Sequence, residues 1–427
     1  MTKYFLPLMG CLLIALPGWS QTSCRSFAYR QQQLNTHPEL ATAIANIEAF
    51  SRRQLQPATV GVTGATGTAS TSTPLTVITI PVVVHVLYNS NAENISNAQI
   101  ESQIAVLNND YQKLNPDTSK IPSYYSPLAA DIGLRFILAG IDSNGNVTTG
   151  IVRKHTNVTS FSMDDGMKSS ATGGDDPWDR DQYLNIWVCN LTDGTLGYSS
   201  LVGGPKETDG VVVLYSAFGT TGTAQAPFNL GRTCTHEIGH WFNLIHTWGD
   251  AYCGNDEVAD TPPQSEATYG NPSGIIISCG NTPYGNMYMD YMDFTDDVGM
   301  HMFTYGQRDR MRVLFAAGGP RNALLSSPAA SAPAGEPSSA ETGSGNAVVT
   351  APSLYPNPAS SYVSISIKDA SQIGSLLEVY NQMGQIVMAM RVTQANFQLD
   401  IAGLAGGLYF IRMANSGSQE SLKFIKL

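Results

Sequence analysis

The stretch THEIGHWFNLIHTW, Thr235 to Trp248, limits what this chain can fold into more than any other. It gathers His236, His240 and His246, three of the chain's seven histidines, with Glu237 beside the first. Four residues apart on a helix, His236 and His240 project from one face and can grip a single ion. Cys234, Ile238 and Trp241 fall on the opposite face, which would bury the helix against a sheet. His246 cannot reach the same ion from a continuous helix, so the chain must turn sharply after about Asn243. Helices commonly leave through one left-handed residue, usually glycine and next most often asparagine. Asn243 therefore fits the turn, at ~1 kcal/mol relative to glycine.

Three neutral imidazoles leave a divalent ion its full charge and one open position, the arrangement of a catalytic rather than a structural zinc site. Zinc held this way lowers the pKa of water to about 7 and polarises a scissile carbonyl. Glu237, next to a ligand but not one itself, can accept the water's proton and pass it to the leaving amine. The rival reading is a non-catalytic secreted surface protein in which zinc is purely structural. An intact Glu237 speaks against it, as does a set of three protein ligands instead of four.

At 427 residues the chain has room for two or three domains. Its formal charge of -11 argues against nucleic-acid binding, which needs basic stripes. Residues 1–20 place Lys3 before the apolar run YFLPLMGCLLIALP and the exit GWSQ, the layout of a secretory signal peptide too short to span a bilayer comfortably. No other apolar run suggests a transmembrane segment. Residues 21–74 read as a pro-segment with one helical run, HPELATAIANIEAFSRRQ, and a Gly/Thr/Ser/Ala connector at 56–74 suited to cleavage. Removing the signal leaves Cys24, Cys189, Cys234, Cys253 and Cys279, an odd number in an oxidising compartment.

Residues 75–318 read as an α+β domain. It opens on LTVITIPVVVHVLY, a β-branched run suited to a strand buried on both faces. A helix follows with Ile100, Ile104, Leu107 and Tyr111 on one face and Ser96 with Gln99 as a capping box. LRFILAGI, YLNIWVCNL and GVVVLYSAF give further strands, and Thr304 with Gln307 opens a closing helix. Residues 319–352 form a Pro/Ala/Ser/Gly linker, and 353–427 hold short alternating runs that read as a small all-β sandwich.

HEIGHWFNLIH, with LGRTCTHEIGHW, CGNDEVADTPPQ and YMDFTDDVGMHMFTYGQRDRM, resembles the metzincin zinc peptidases, and within them the cytophagalysin and ulilysin branch of the pappalysin family. The likeness covers roughly residues 80 to 316. It implies a secreted endopeptidase with a twisted five-stranded sheet over the active-site helix and a mostly irregular lower half. A methionine should lie in a tight turn beneath the metal: Met292, or Met289 in the second register of YMDYMDF. The register on Met292 puts Phe294 where the family has a tyrosine that steadies the oxyanion, leaving Tyr291 or another group to substitute.

The same resemblance extends to the surroundings of the metal. Asp250, Asp256, Glu257, Asp260 and Thr261 crowd a loop that binds calcium in relatives; Asp256, Asp260 and Thr261 are the candidate ligands, with a solvated acidic loop as the alternative. Cys253 and Cys279 resemble a family disulfide, and Cys189 with Cys234 is a candidate second bridge. Cys24 is then the odd thiol. Relatives are held latent by a pro-segment cysteine on the metal, which makes Cys24 a zinc ligand until the connector is cut; an unpaired leftover thiol is the alternative. Asp297 falls at the floor of the pocket after the scissile bond, where arginine-selective relatives carry an acid. Cleavage before arginine, then lysine, follows, unless Asp297 is a solvated acid or a calcium ligand. LYPNPASSYVSISI, VYNQMGQIV and GLYFIRMANSGSQESLKFIKL resemble the sorting domain of the type IX secretion system, which implies export by the Sec and type IX machineries to the medium or cell surface.

Overall fold

The computed structural model describes residues 23–55, 75–330, 353–355, 359–366, 375–382, 385–392, 396–413 and 421–427. The signal peptide, the connector and the linker after residue 330 lie outside the described residues. Ser23–Cys24 form a short strand (β1), followed by helices Ser26–Thr36 (α1) and Leu40–Leu55 (α2). The expected run, which begins at His37, is α2; α1 is an additional helix before it, and Pro38, which disfavours helical geometry at His37, separates the two.

The main sheet contains Ile78–Tyr88 (β2), Leu134–Leu138 (β3), Ile151–His155 (β4), Leu184–Cys189 (β5), Thr195–Ser199 (β6) and Val211–Leu214 (β7). Helix Asn97–Tyr111 (α3) connects β2 to the rest. The strand order is β1-β6-β7-β5-β2-β3, with β4 also on β2, seven strands in all. Five were expected. The difference has two sources. β3 and β4 follow one another along the same edge of β2, opposite β5. β1 comes from the N-terminal segment and adds parallel to β6, itself the antiparallel edge strand.

Alternation along the strands sorts the core. Ile186 and Val188 face Ile100, Leu107, Tyr111, Cys234, Ile238 and Trp241 on the helical side. Trp187 and Cys189 face the other side with Leu87, Tyr198 and Val212. Each fully buried Val, Ile or Leu contributes roughly 1.5–3 kcal/mol, so this layer is where the domain's stability resides. The cap of α3 is half of the expected box. Ser96 accepts the Gln99 N–H, but the Gln99 amide donates to the carbonyls of Tyr215 and Phe218 instead of returning to Ser96.

Helix Arg232–Trp241 (α4), which carries His236 and His240, leads into an irregular lower half, whose strands Tyr269–Gly270 (β8) and Phe294–Thr295 (β9) are two residues each. Helix Tyr305–Arg312 (α5) forms both bonds of the Thr304–Gln307 capping box. The chain does not become a linker at residue 319. Arg321 is buried against Asp209 at 2.9 Å, and Leu324 and Ala329 are buried in apolar clusters, so the packed part runs to residue 330. Arg321 and Leu324 of RNALLSSPAA supply contacts that a Pro/Ala/Ser reading overlooks.

Among the described residues, the C-terminal unit has sheets of three and four strands. They are built from Ser353–Tyr355 (β10), Tyr362–Ser366 (β11), Leu376–Tyr380 (β12), Ile386–Arg391 (β13), Asn396–Asp400 (β14), Gly407–Met413 (β15) and Ser421–Lys426 (β16). Val363, Ile365 and Leu399 of one sheet share a core with Leu377, Val379, Ile411 and Phe424 of the other. That is a small sandwich.

Candidate metal centre and cleft

Helix α4 starts after Gly231 at φ 77° and ends one residue before Phe242. Asn243 then takes φ 67°, and the Leu244 N–H returns to the Gly239 carbonyl at 3.0 Å. This left-handed exit carries His246 back beneath the helix. The Nε2 atom of His240 lies 3.1 Å from that of His236 and 3.0 Å from that of His246. Cys24 Sγ joins them, the four ligand atoms lying within 4.8 Å of one another.

Each outer ring nitrogen has a partner. Nδ1 of His236 meets the Tyr291 carbonyl at 2.6 Å, Nδ1 of His240 meets the Leu244 carbonyl at 2.9 Å, and Nδ1 of His246 meets the Asp250 carboxylate. These acceptors fix Nδ1 as the protonated nitrogen and turn three Nε2 lone pairs to one point. Lone pairs so close repel unless a cation sits between them, so the residues fit a metal ion. Burial holds His236 and His246 neutral, with pKa values lowered to about 3, and drives His240 well down. Trp248 stacks on His246 at 4.3 Å and stiffens it further.

Glu237 is fully buried beside the ligands. Its Oε2 accepts the Ser26 hydroxyl at 2.8 Å, while its Oε1 is buried with no hydrogen-bond partner. Burial raises its pKa to about 8, against the lowering effect of Ser26 and Cys24. Burial likewise drives the Cys24 thiol up, and the neighbouring Glu237 charge adds to it.

Met292 packs beneath the helix, so close that a Cβ on Gly239 would lie 2.5 Å from its sulfur. Met289 lies elsewhere, in a cluster with Ile121 and Tyr125. Phe294 puts its ring 5.6 Å from His236 and 4.8 Å from His246. Tyr291 is no substitute for the absent hydroxyl. Its oxygen is buried on the Arg232 guanidinium at 2.6 Å, in a network with Asp110 and Asp117, and only its backbone carbonyl serves the centre.

Asp297 is 1% exposed. It lines a cavity of about 30 Å³ with Cys24, Leu196, Phe228, Glu237 and Phe294. Its Oδ2 accepts the Leu230 N–H at 2.6 Å and the Arg232 N–H at 3.4 Å, and burial raises its pKa to about 7.

The acidic loop divides. Asp250 serves His246. Asp256 accepts the Thr261 hydroxyl at 2.7 Å and the Val258 N–H, while Asp260 accepts the Thr304 hydroxyl at 2.7 Å and the Gly306 N–H at the start of α5. These carboxylates tie the loop to itself and to the helix. Cys253 and Cys279 are bonded as a disulfide. Cys189 and Cys234 are not: both are free buried thiols, because they lie on opposite faces of the sheet.

Two contributors escaped the sequence reading. Ser26 has no signal beyond its nearness to Cys24. Arg232 could have been found as a charge at the start of an otherwise buried helix.

The pregnancy-associated plasma protein-A peptidase model matches residues 168–316, and the secretion system C-terminal sorting domain model matches 353–427. An extracellular metalloprotease of Pyricularia oryzae is 32% identical over 243 residues, 55% of this chain and 73% of that protein. Mature mirolysin of Tannerella forsythia, in complex with a cleaved peptide, is similar at 47% identity and TM-score 0.58 over 59% of this chain and 97% of that one. A promirolysin variant from the same organism reaches TM-score 0.64 at 41% identity, over 71% of this chain and 97% of the other.

Proposed function

The chain belongs to the pregnancy-associated plasma protein-A peptidase family, and from that premise we propose that His236, His240 and His246 hold a zinc ion at which Glu237 acts as general base. The protein is a metalloendopeptidase, and its sorting domain and extracellular relatives make it a secreted or cell-surface one. Zinc would supply a more acidic water and a polarised carbonyl. Glu237 Oε1, left without a protein partner, takes a proton from the attacking water and returns it to the nitrogen of the departing amine. Burial, which raises its pKa, makes it the stronger base for the first of these transfers. Phe294, Trp248 and Leu196 exclude bulk water around these atoms.

The observation that carries this reading is the convergence of three Nε2 atoms whose Nδ1 atoms are all tied back. Chelated active protein should regain casein hydrolysis at one equivalent of zinc. Glu237→Ala should still take up that equivalent, yet lose about a hundredfold to ten-thousandfold in kcat. Full hydrolysis after chelation, or by Glu237→Ala, would remove the mechanism.

Latency and specificity belong to the same proposal. Cys24 Sγ lies in the ligand cluster, Ser26 occupies Glu237, and β1 covers the β6 edge on which a peptide would pair. These support a zymogen whose Cys24 fills the open metal position. Asp297 in the adjacent cavity supports cleavage before arginine, whose planar fork can pair a desolvated carboxylate through two bonds; lysine follows as a weaker match. Calcium at Asp256, Asp260 and Thr261 belongs to the same proposal and rests on the oxygen ligands of the loop, two of them already in contact through the Thr261 hydroxyl on Asp256.

A further inference from the structure

On the face of the sheet turned away from α4, a recess is walled by aromatic rings around a buried ion pair. Lys168 is 2% exposed, and its Nζ meets Asp165 Oδ1 at 2.9 Å and the Thr208 carbonyl at 2.8 Å. The same ammonium lies 5.0 Å from the ring centre of Tyr198 and 5.5 Å from that of Trp187. The Tyr198 hydroxyl donates to Asp165 Oδ1 at 3.1 Å. Asp165 itself stands at φ 64°, a left-handed conformation that a non-glycine residue keeps only when its surroundings enforce it.

One side chain completes the recess, and it comes from the N-terminal segment. Tyr29 of α1 is 1% exposed. Its ring lies 4.8 Å from that of Tyr198 and 5.3 Å from the Lys168 ammonium. Its hydroxyl donates to Asp165 Oδ2 at 2.6 Å. Every requirement of the recess is met by a phenol: an apolar face for the rings, a π-face for the cation and an O–H donor for the remaining carboxylate oxygen. Phenylalanine would meet the first two only.

We propose that Asp165, Lys168, Trp187 and Tyr198 form a tyrosine receptor, filled here by Tyr29, that docks the N-terminal segment independently of the metal and accepts another phenol when Tyr29 is gone. None of the four residues belongs to the metal centre. The claim goes beyond the latent-zinc reading, since it needs only the docking of residues 23–36.

The test follows iodoacetamide alkylation of Cys24 in the full chain after chelation, with the modified cysteine identified by mass spectrometry. Undocking exposes the thiol, so alkylation reports docking, and the chelator keeps a wrong metal assignment from changing the result. Tyr29→Ala should react at least about tenfold faster than the parent. Tyr29→Phe and Asp165→Asn should each be faster than the parent, and the double variant no faster than the quicker single one, because both remove the same bond. Added p-cresol should speed alkylation of the parent by competing with Tyr29 for the recess, and have no such effect on Tyr29→Ala, whereas toluene should not speed either. Equal rates for the parent and Tyr29→Phe, or equal effects of p-cresol and toluene, would overturn the receptor.

Discussion

Asp297 shows how much a single carboxyl depends on its surroundings. Two backbone N–H groups hold one of its oxygens, and burial still raises its pKa to about 7. An arginine side chain arriving in the cavity would favour the ionised form, and an apolar one would leave the acid unpaired. Asp297→Ala should therefore lower kcat/KM for cleavage before arginine by roughly tenfold or more and flatten the preference in a peptide library. Apolar preference in the unaltered enzyme would refute the pocket while leaving the metal centre standing.

The histidines give a pH dependence with a defined sign. His236 and His246 titrate near 3 in the folded chain against 6.5 for a free histidine. Between these values the unfolded state binds more protons, so their contribution to stability is present above 6.5 and lost as pH falls towards 3. Glu237, raised from 4.5 to about 8, acts in the opposite direction over its own window. Asp297, raised to about 7, and Asp110, Asp256 and Asp293, raised to about 6, act in the same direction as Glu237, so the histidine share is read as a difference between variants. Relative to His246→Gln, the metal-free parent should lose urea stability as pH drops from 6.5 to 5. Parallel profiles for the two chains would show that His246 is not held neutral.

At the scale of the element, the turn after α4 matters most. Asn243 has to sit at φ 67° for His246 to reach the other ligands. Asn243→Gly should keep zinc affinity and activity, whereas Asn243→Ala should cost about 1 kcal/mol in stability and loosen zinc measurably in a competition titration. Equal zinc affinity in both variants would mean that the left-handed residue does not set the geometry. This turn was legible in the sequence, since a helical spacing of four followed by one of six leaves the chain little choice. The α5 cap was legible for a similar reason: both of its bonds are local. The α3 cap was only half legible, because Gln99 found carbonyls more than a hundred positions away. Likewise Asp250, read with the calcium acids, became the partner of His246 once the turn had brought them together.

At the scale of the whole molecule, the N-terminal segment and the catalytic part form one packed unit around the cleft. Ser26 bonds Glu237, Glu48 pairs with Arg310 at 2.6 Å, and Tyr29 fills its recess. Cys24→Ala in the full chain should therefore raise proteolysis above the parent without restoring that of the cleaved enzyme, because these other contacts still hold the segment. The assay is peptide hydrolysis before any connector cleavage, followed on a gel. Activity no higher than the parent's would assign latency to the other contacts alone.

Motifs of short reach carried their own meaning: the converging histidines, the left-handed asparagine, the sorting end and the alternating strands of the sandwich. They are legible because spacing along a helix or strand fixes which side chains share a face. Pairings across the sheet were a different matter. Cys189 and Cys234 made a plausible bridge as letters, but alternation along β5 turns Cys189 away from the helix that carries Cys234. Tyr291 looked free to serve the cleft until Arg232 took its hydroxyl, and Tyr29 gave no sign of the recess it fills. Those outcomes depend on which distant groups meet in a buried, low-dielectric interior, where each polar atom must find a partner, and that is settled only when the sheet, its two faces and the N-terminal segment close on one another.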